Sequence, residues 1–120
     1  MTVFDRDLKD ARADNISLDR RFTTAYNAAL MTAKAALAAK GYRTAGEANH
    51  FVTIKSLEFT LTPDPVKIAV LNRYRRQRNL LDYEMAGIIS DREVAEIITL
   101  AEYLRASLTM WLKDNYPELS

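Results

Sequence analysis

From Leu18 onward, apolar and small residues return every three or four positions: Leu18, Phe22, Ala25, Tyr26, Ala29, Leu30, Ala33, Ala36 and Leu37. That spacing is one face of an α-helix. Ser17 stands where an N-cap belongs, and Gly41 where a helix end favours a residue that tolerates left-handed backbone. Alanine is dense between 25 and 39, which favours helix and lets a neighbour approach closely. A second stripe follows at His50, Phe51, Ile54, Leu57 and Leu61, after Thr44-Ala-Gly-Glu47 with the spacing of a capping box. Pro63 and Pro65 end it. Asp64, with Pro65 at the first helical position, starts a third helix running from about 65 to 86, with Gly87 just beyond. Ser90-Asp-Arg-Glu93 is another capping box. It opens a fourth helix with Val94, Ile97, Ile98, Ala101, Leu104, Leu108, Trp111 and Leu112 on one face, closed by Asn115-Tyr116-Pro117. Residues 4–13 predict a short leading helix, and no stretch alternates with period two for long enough to predict a strand. The expectation is all-α: an up-and-down four-helix bundle with a short extra N-terminal helix, one domain over residues 1–120.

Composition narrows the function. The 17 Lys and Arg against 16 Asp and Glu give a net charge of +1, which excludes a uniformly basic nucleic-acid coat and leaves only a local patch. With no cysteine, disulfides and thiolate chemistry are ruled out. The charged N-terminus, MTVFDRDLKDARAD, has no apolar signal segment, and no apolar run approaches the roughly 18 residues that span a bilayer. A cytoplasmic domain without a membrane partner is expected. There is no glycine-rich phosphate loop and no zinc ligand set, so no metal and no cofactor are expected either.

Charge is concentrated in the third helix, where four of the six residues from 73 to 78 are arginine. In helical projection Val70, Leu71, Tyr74, Leu81 and Met85 share one stripe. Arg73, Arg75 and Arg76 spread over its flanks, where Asp82 and Glu84 partly balance them. Arg78 falls within the stripe. A guanidinium there must snorkel, pair with an acid from another helix, or line a polar cleft. Asn79 is a poor mid-helix residue whose amide can orient neighbours. Tyr83 lies four residues after Asn79 and about 140° round the helix from Arg78. The three residues either edge one groove, or are an ion-paired arginine and a packed tyrosine with its hydroxyl in water.

Arg78-Asn79-Leu80-Leu81-Asp82-Tyr83 resembles the signature of the HEPN superfamily of small helical bundles. That signature is an arginine, a polar residue that is often asparagine, three more residues and a histidine, late in the third helix. Arg78 and Asn79 match, while Tyr83 stands at the histidine position. The order of elements is similar too: an alanine-rich first helix ending Gly41-Tyr42-Arg43, a second helix containing His50, then the arginine-rich third. The resemblance implies a homodimer formed through the third helix, with Arg78 and Tyr83 of both subunits facing one cleft. Active members are metal-independent ribonucleases of toxin–antitoxin or defence systems. Others bind RNA without cutting it, or act as adaptors that partner small nucleotidyltransferases. Arg73, Arg76, Arg78 and Asn79 are the expected RNA- or polyanion-binding set. Arg78, Tyr83 and His50 are the candidate catalytic set.

Tyr83 weakens the catalytic expectation. Metal-free RNA cleavage needs a base, an acid and cations for the charged transition state. Histidine titrates near pH 6.5 and serves either proton role; tyrosine titrates near pH 10. The chain's one histidine, His50, lies on the second helix's apolar stripe, as a hydrogen-bonded core residue or as an imidazole lent to the cleft. Glu47 and His50 also have the spacing of a carboxylate-bridged metal motif, but a complete site needs two such motifs and further glutamates. Trp111 and Tyr116 are expected to pack the bundle end. The leading expectation is an RNA- or polyanion-binding homodimer with weak or absent nuclease activity.

Overall fold

The computed structural model describes residues 3–13, 15–42, 50–81 and 89–119, and among these there are helices and turns but no strand. Five α-helices follow in order: α1 (Val3–Ala11), α2 (Leu18–Ala39), α3 (His50–Lys55), α4 (Pro65–Leu81) and α5 (Asp91–Asn115). Short 3₁₀ turns follow α3 at Ser56–Glu58 and α5 at Pro117–Leu119. The expected start of the second helix at Thr44–Glu47 and the end of the third near residue 86 lie outside the described residues.

Most helix ends are fixed by the expected local chemistry, but α3 gives way to a 3₁₀ turn after Lys55 instead of running to Pro63 as expected. The Ser17 hydroxyl accepts from the Arg20 amide at 3.3 Å. Gly41 has φ +89°, and around it the Gly41 amide donates to the Ala38 carbonyl at 2.9 Å and the Tyr42 amide to Leu37 at 3.2 Å. This is the paired closure of a Schellman end, which uses glycine's freedom at positive φ. Asp64 Oδ1 accepts from the Val66 amide at 2.9 Å, and Pro65 opens α4 where its missing amide costs nothing. Ser90 and Glu93 form both arms of the capping box at the start of α5. Before α4 the chain tightens: Ser56 Oγ donates to the Thr53 carbonyl at 2.6 Å, the helix narrows to 3₁₀, and Thr62 takes φ +47° ahead of Pro63.

α2 is the central helix and touches each of the others. Its buried face is wider than the single stripe expected: Ala28 and Thr32 are enclosed together with Phe22, Ala25, Tyr26, Ala29, Ala33 and Ala36. Thr32 is accommodated because its hydroxyl donates to the Ala28 carbonyl at 3.0 Å. Against α2 pack Ile97, Ala101 and Leu104 of α5, Leu71 and Tyr74 of α4, Ile54 of α3, and Phe4, Leu8 and Ala11 of α1. α1 is tied down at its end by Arg21 of α2, whose Nε donates to the Ala11 carbonyl at 2.7 Å and whose Nη1 lies 4.0 Å from Asp91 at the start of α5. One orphan carbonyl of α1 is thereby satisfied. At the far end the rings of Trp111 and Tyr116 meet at 5.3 Å.

Candidate functional site

The four arginines of α4 leave the helix in different directions and meet different partners. Arg73 reaches α5, where its Nη2 donates to Glu96 Oε1 at 2.9 Å. The same carboxylate oxygen accepts the hydroxyl of Tyr74, a fully buried ring that meets Phe22 edge-on at 5.3 Å. Arg75 turns toward α3. Its Nε donates to Asn72 Oδ1 at 2.8 Å, and its guanidinium carbon lies 5.4 Å from the centre of the Phe51 ring. Arg76 is exposed and makes no ion pair among the described residues.

Arg78 points inward and is half-buried, with its guanidinium carbon 5.8 Å from the centre of the Tyr26 ring. A cation at that distance from a ring face is still within attractive range. Tyr26 has no exposed surface, and its hydroxyl oxygen lies 3.4 Å from His50 Nδ1. The tyrosine and imidazole rings are 6.1 Å apart and tilted by 43°. His50 itself is only 6% exposed. Three helices thus meet on one side chain: α2 supplies Tyr26, α3 brings His50 to its hydroxyl, and α4 brings Arg78 to its ring. Asn79 is half-buried beside Arg78. Tyr83, Glu47, Asp82 and Glu84 lie outside the described residues.

The sequence singles out Arg78 and His50 separately, and the fold brings them to opposite parts of Tyr26. It does not bring Arg73 to them, because Glu96 draws that charge to α5. Tyr26 is not among the expected site residues. The available signal is its hydroxyl on an otherwise apolar, alanine-rich face, where burial demands a partner.

The α4–α5 seam next to these residues is held by Gln77, whose Nε2 donates to Glu93 Oε2 at 2.7 Å. That bond, helped by the Ser90 amide and hydroxyl and the charge of Arg73, holds the Glu93 carboxyl below its usual range even though partial burial pulls the other way. On α1, Asp7 has the opposite displacement: burial pushes its carboxyl up, the nearby Arg6 charge offsets part of that, and Asp10 adds to it. No group of three or more potential metal ligands occurs among the described residues, and no described helix is long and apolar enough to cross a membrane.

Chemically, the arrangement offers a fixed cation with an amide next to it, features that bind oxyanions, while Arg76, two residues before Arg78, leaves the helix on the other side. The imidazole presents almost no surface to a substrate. Compared with protein families, curated proteins and solved structures, the chain matches no family model, no curated protein and no solved structure.

Proposed function

We propose that this chain is a HEPN-like RNA-binding protein that holds the RNA backbone at the cationic end of α4, through Arg78 and Asn79 with Arg76 at the outer edge. The observation that carries the reading is the placement of Arg78: an arginine on an apolar helical stripe, half-buried against Tyr26. A guanidinium held against an aromatic ring keeps its donors oriented for phosphate, at a smaller loss of side-chain freedom on binding. In this reading the chain is an up-and-down four-helix bundle preceded by α1. It pairs with a second copy through α4 in the cytoplasm, as the RNA-binding component of a toxin–antitoxin or defence system. Nuclease activity is weak or absent, because Tyr83 replaces the usual histidine and His50 is buried.

A metal-independent ribonuclease using Arg78 with Tyr83 or His50 is the second reading, favoured by the Tyr26 hydroxyl that joins His50 to the ring carrying Arg78.

Fluorescence anisotropy with a labelled single-stranded RNA tests the first. Binding should weaken steeply with salt, and Arg78→Ala should lower both the affinity and the slope of log affinity against log salt, by roughly 0.7 for each phosphate the variant no longer neutralises. Absence of binding by the wild type at low salt overturns the reading. Cleavage in EDTA that Arg78→Ala abolishes would move the conclusion to the nuclease. A monomer by light scattering at high concentration would remove the paired cleft.

A further inference from the structure

Along the seam between α4 and α5 lies an open groove of about 500 Å³. The bonds from Arg73 and Tyr74 to Glu96, and from Gln77 to Glu93, set the two helices antiparallel. Val66 and Val70 of α4 face Ala95, Leu100 and Tyr103 of α5 across the groove, so its middle is apolar. Val66 and Tyr103 are exposed. The Thr99 hydroxyl donates to the Ala95 carbonyl of its own helix at 3.0 Å and asks for no partner from the groove. A cation stands toward each end. Lys67 Nζ lies 4.4 Å from the centre of the Tyr103 ring, which holds it in place. Arg92 also lines the groove and precedes Tyr103 by 11 residues on α5, about 16 Å along the axis. Neither cation has an ion-pair partner among the described residues, because the acids nearby are engaged elsewhere. Glu96 holds Arg73, Glu93 accepts from Gln77, and Asp91 lies 4.0 Å from Arg21.

We propose that this groove docks an amphipathic helix of a partner protein, one that carries an acidic residue at each end of a short apolar stripe. Charge complementarity selects that occupant: an apolar trough with an uncompensated cation toward each end matches a ligand with an anion at each end. Eleven residues make about three helical turns, so acids at that spacing share one face and span the length from Arg92 to the Lys67–Tyr103 pair. Apolar residues four and seven positions after the first acid then fall between them, over Val66, Val70 and Leu100. A second copy of this chain does not supply the pattern from α5, where the pair at this spacing, Asp91 and Glu102, is turned to Arg21 and Arg12. Lys67 lies in the first turn of α4 and Arg78 in its last, so the inference goes beyond the RNA-binding reading and stands apart from it.

The test is fluorescence anisotropy on the full chain with a labelled helical peptide of about 18 residues. It carries two glutamates eleven residues apart, with leucines at the fourth and seventh positions after the first. A control peptide of the same composition has both glutamates on the opposite face and should bind about tenfold more weakly. Arg92→Glu, on an exposed side chain, should lower the affinity of the matched peptide about threefold, and Lys67→Glu with Arg92→Glu about tenfold. A peptide with lysines in place of the glutamates should recover binding to that double variant, which a misfolded protein would not do. Val66→Asp should weaken both peptides, and Arg78→Ala neither. Equal binding of the matched and control peptides overturns the proposal, as does wild-type affinity in the double variant or no binding at low salt. Displacement of the peptide by an oligouridylate assigns these cations to RNA and overturns it too. A peptide that fails while RNA binding stays sensitive to Arg78→Ala leaves the reading of Arg78 in place.

Discussion

The hydroxyl oxygen of Tyr26 and Nδ1 of His50 are 3.4 Å apart in the interior, and the guanidinium carbon of Arg78 lies 5.8 Å from the centre of the same tyrosine ring. One α2 side chain therefore satisfies a buried imidazole with its polar tip and seats a cation with its face. These two duties can be separated by mutation.

Tyr26→Phe keeps the ring and deletes the hydroxyl. It should cost about 0.5–1.5 kcal/mol in urea unfolding, the usual net worth of a hydrogen bond. RNA affinity should change little, because the face under Arg78 is retained. A Tyr26→Phe protein that lost RNA binding at unchanged stability would show that His50, and not the ring, governs the site.

Glu96 holds both the buried Tyr74 hydroxyl and the exposed Arg73, and these partners are worth unequal amounts. Arg73→Ala removes a surface ion pair and should cost under about 1 kcal/mol. Glu96→Ala takes the acceptor from a hydroxyl on a buried ring and should cost about 1–3 kcal/mol. Because its charge is already engaged, Arg73→Ala should weaken RNA binding less than Arg76→Ala does. The two expectations are checked by denaturant midpoints and anisotropy on the same variants, and a reversed order in either would contradict the sorting of the arginines.

Asp7 and Glu93 should shape the pH dependence of stability in opposite directions. Burial raises the Asp7 carboxyl above its ordinary 3.8, so the folded state binds that proton more tightly than the unfolded chain. Its penalty is absent at acid pH and develops as the pH rises from 3.8 through the folded value. Asp7→Asn should therefore raise the melting temperature near neutral pH, with the gain vanishing in acid below that ordinary value. The Gln77 hydrogen bond holds Glu93 below its ordinary 4.5, so its contribution is present above that pH and fades as the pH falls through the folded value. Glu93→Gln should be less stable than wild type near neutrality and converge with it in acid. Thermal melts across this range, read by circular dichroism, decide both.

Local chemistry made most described helix limits legible, the end of α3 at Lys55, ahead of Pro63, being the exception. Ser17, Gly41, Asp64-Pro65 and the Ser90–Glu93 box each act on a neighbouring backbone, and the backbone obeys them. The all-helical class follows from the same periodicity. Relations between helices were less legible, because they depend on which faces meet. Arg21 reads as an ordinary charge early in a helix, yet it caps α1 across ten residues. Arg73 and Arg76 look alike in sequence, and only the approach of α5 with Glu96 makes them different. Arg78 does stand out, since a charge interrupts an apolar stripe, but nothing in the stripe says that its neighbour is Tyr26. Leu61 and Val70 lie on the predicted apolar stripes yet are only half-buried, packed at the margin of the core.

Ala25, Ala28, Ala29, Ala33 and Ala36 have no exposed surface at all. At these enclosed positions an added methylene has to displace a neighbour, at a cost of typically about 1–3 kcal/mol. Substitution is therefore easier elsewhere: exposed charges on α4 can change without moving a helix, whereas small residues at this spacing along a central helix cannot grow. A distant relative would accordingly be recognised less by its arginines than by this spine of alanines with a phenylalanine and a tyrosine near its start.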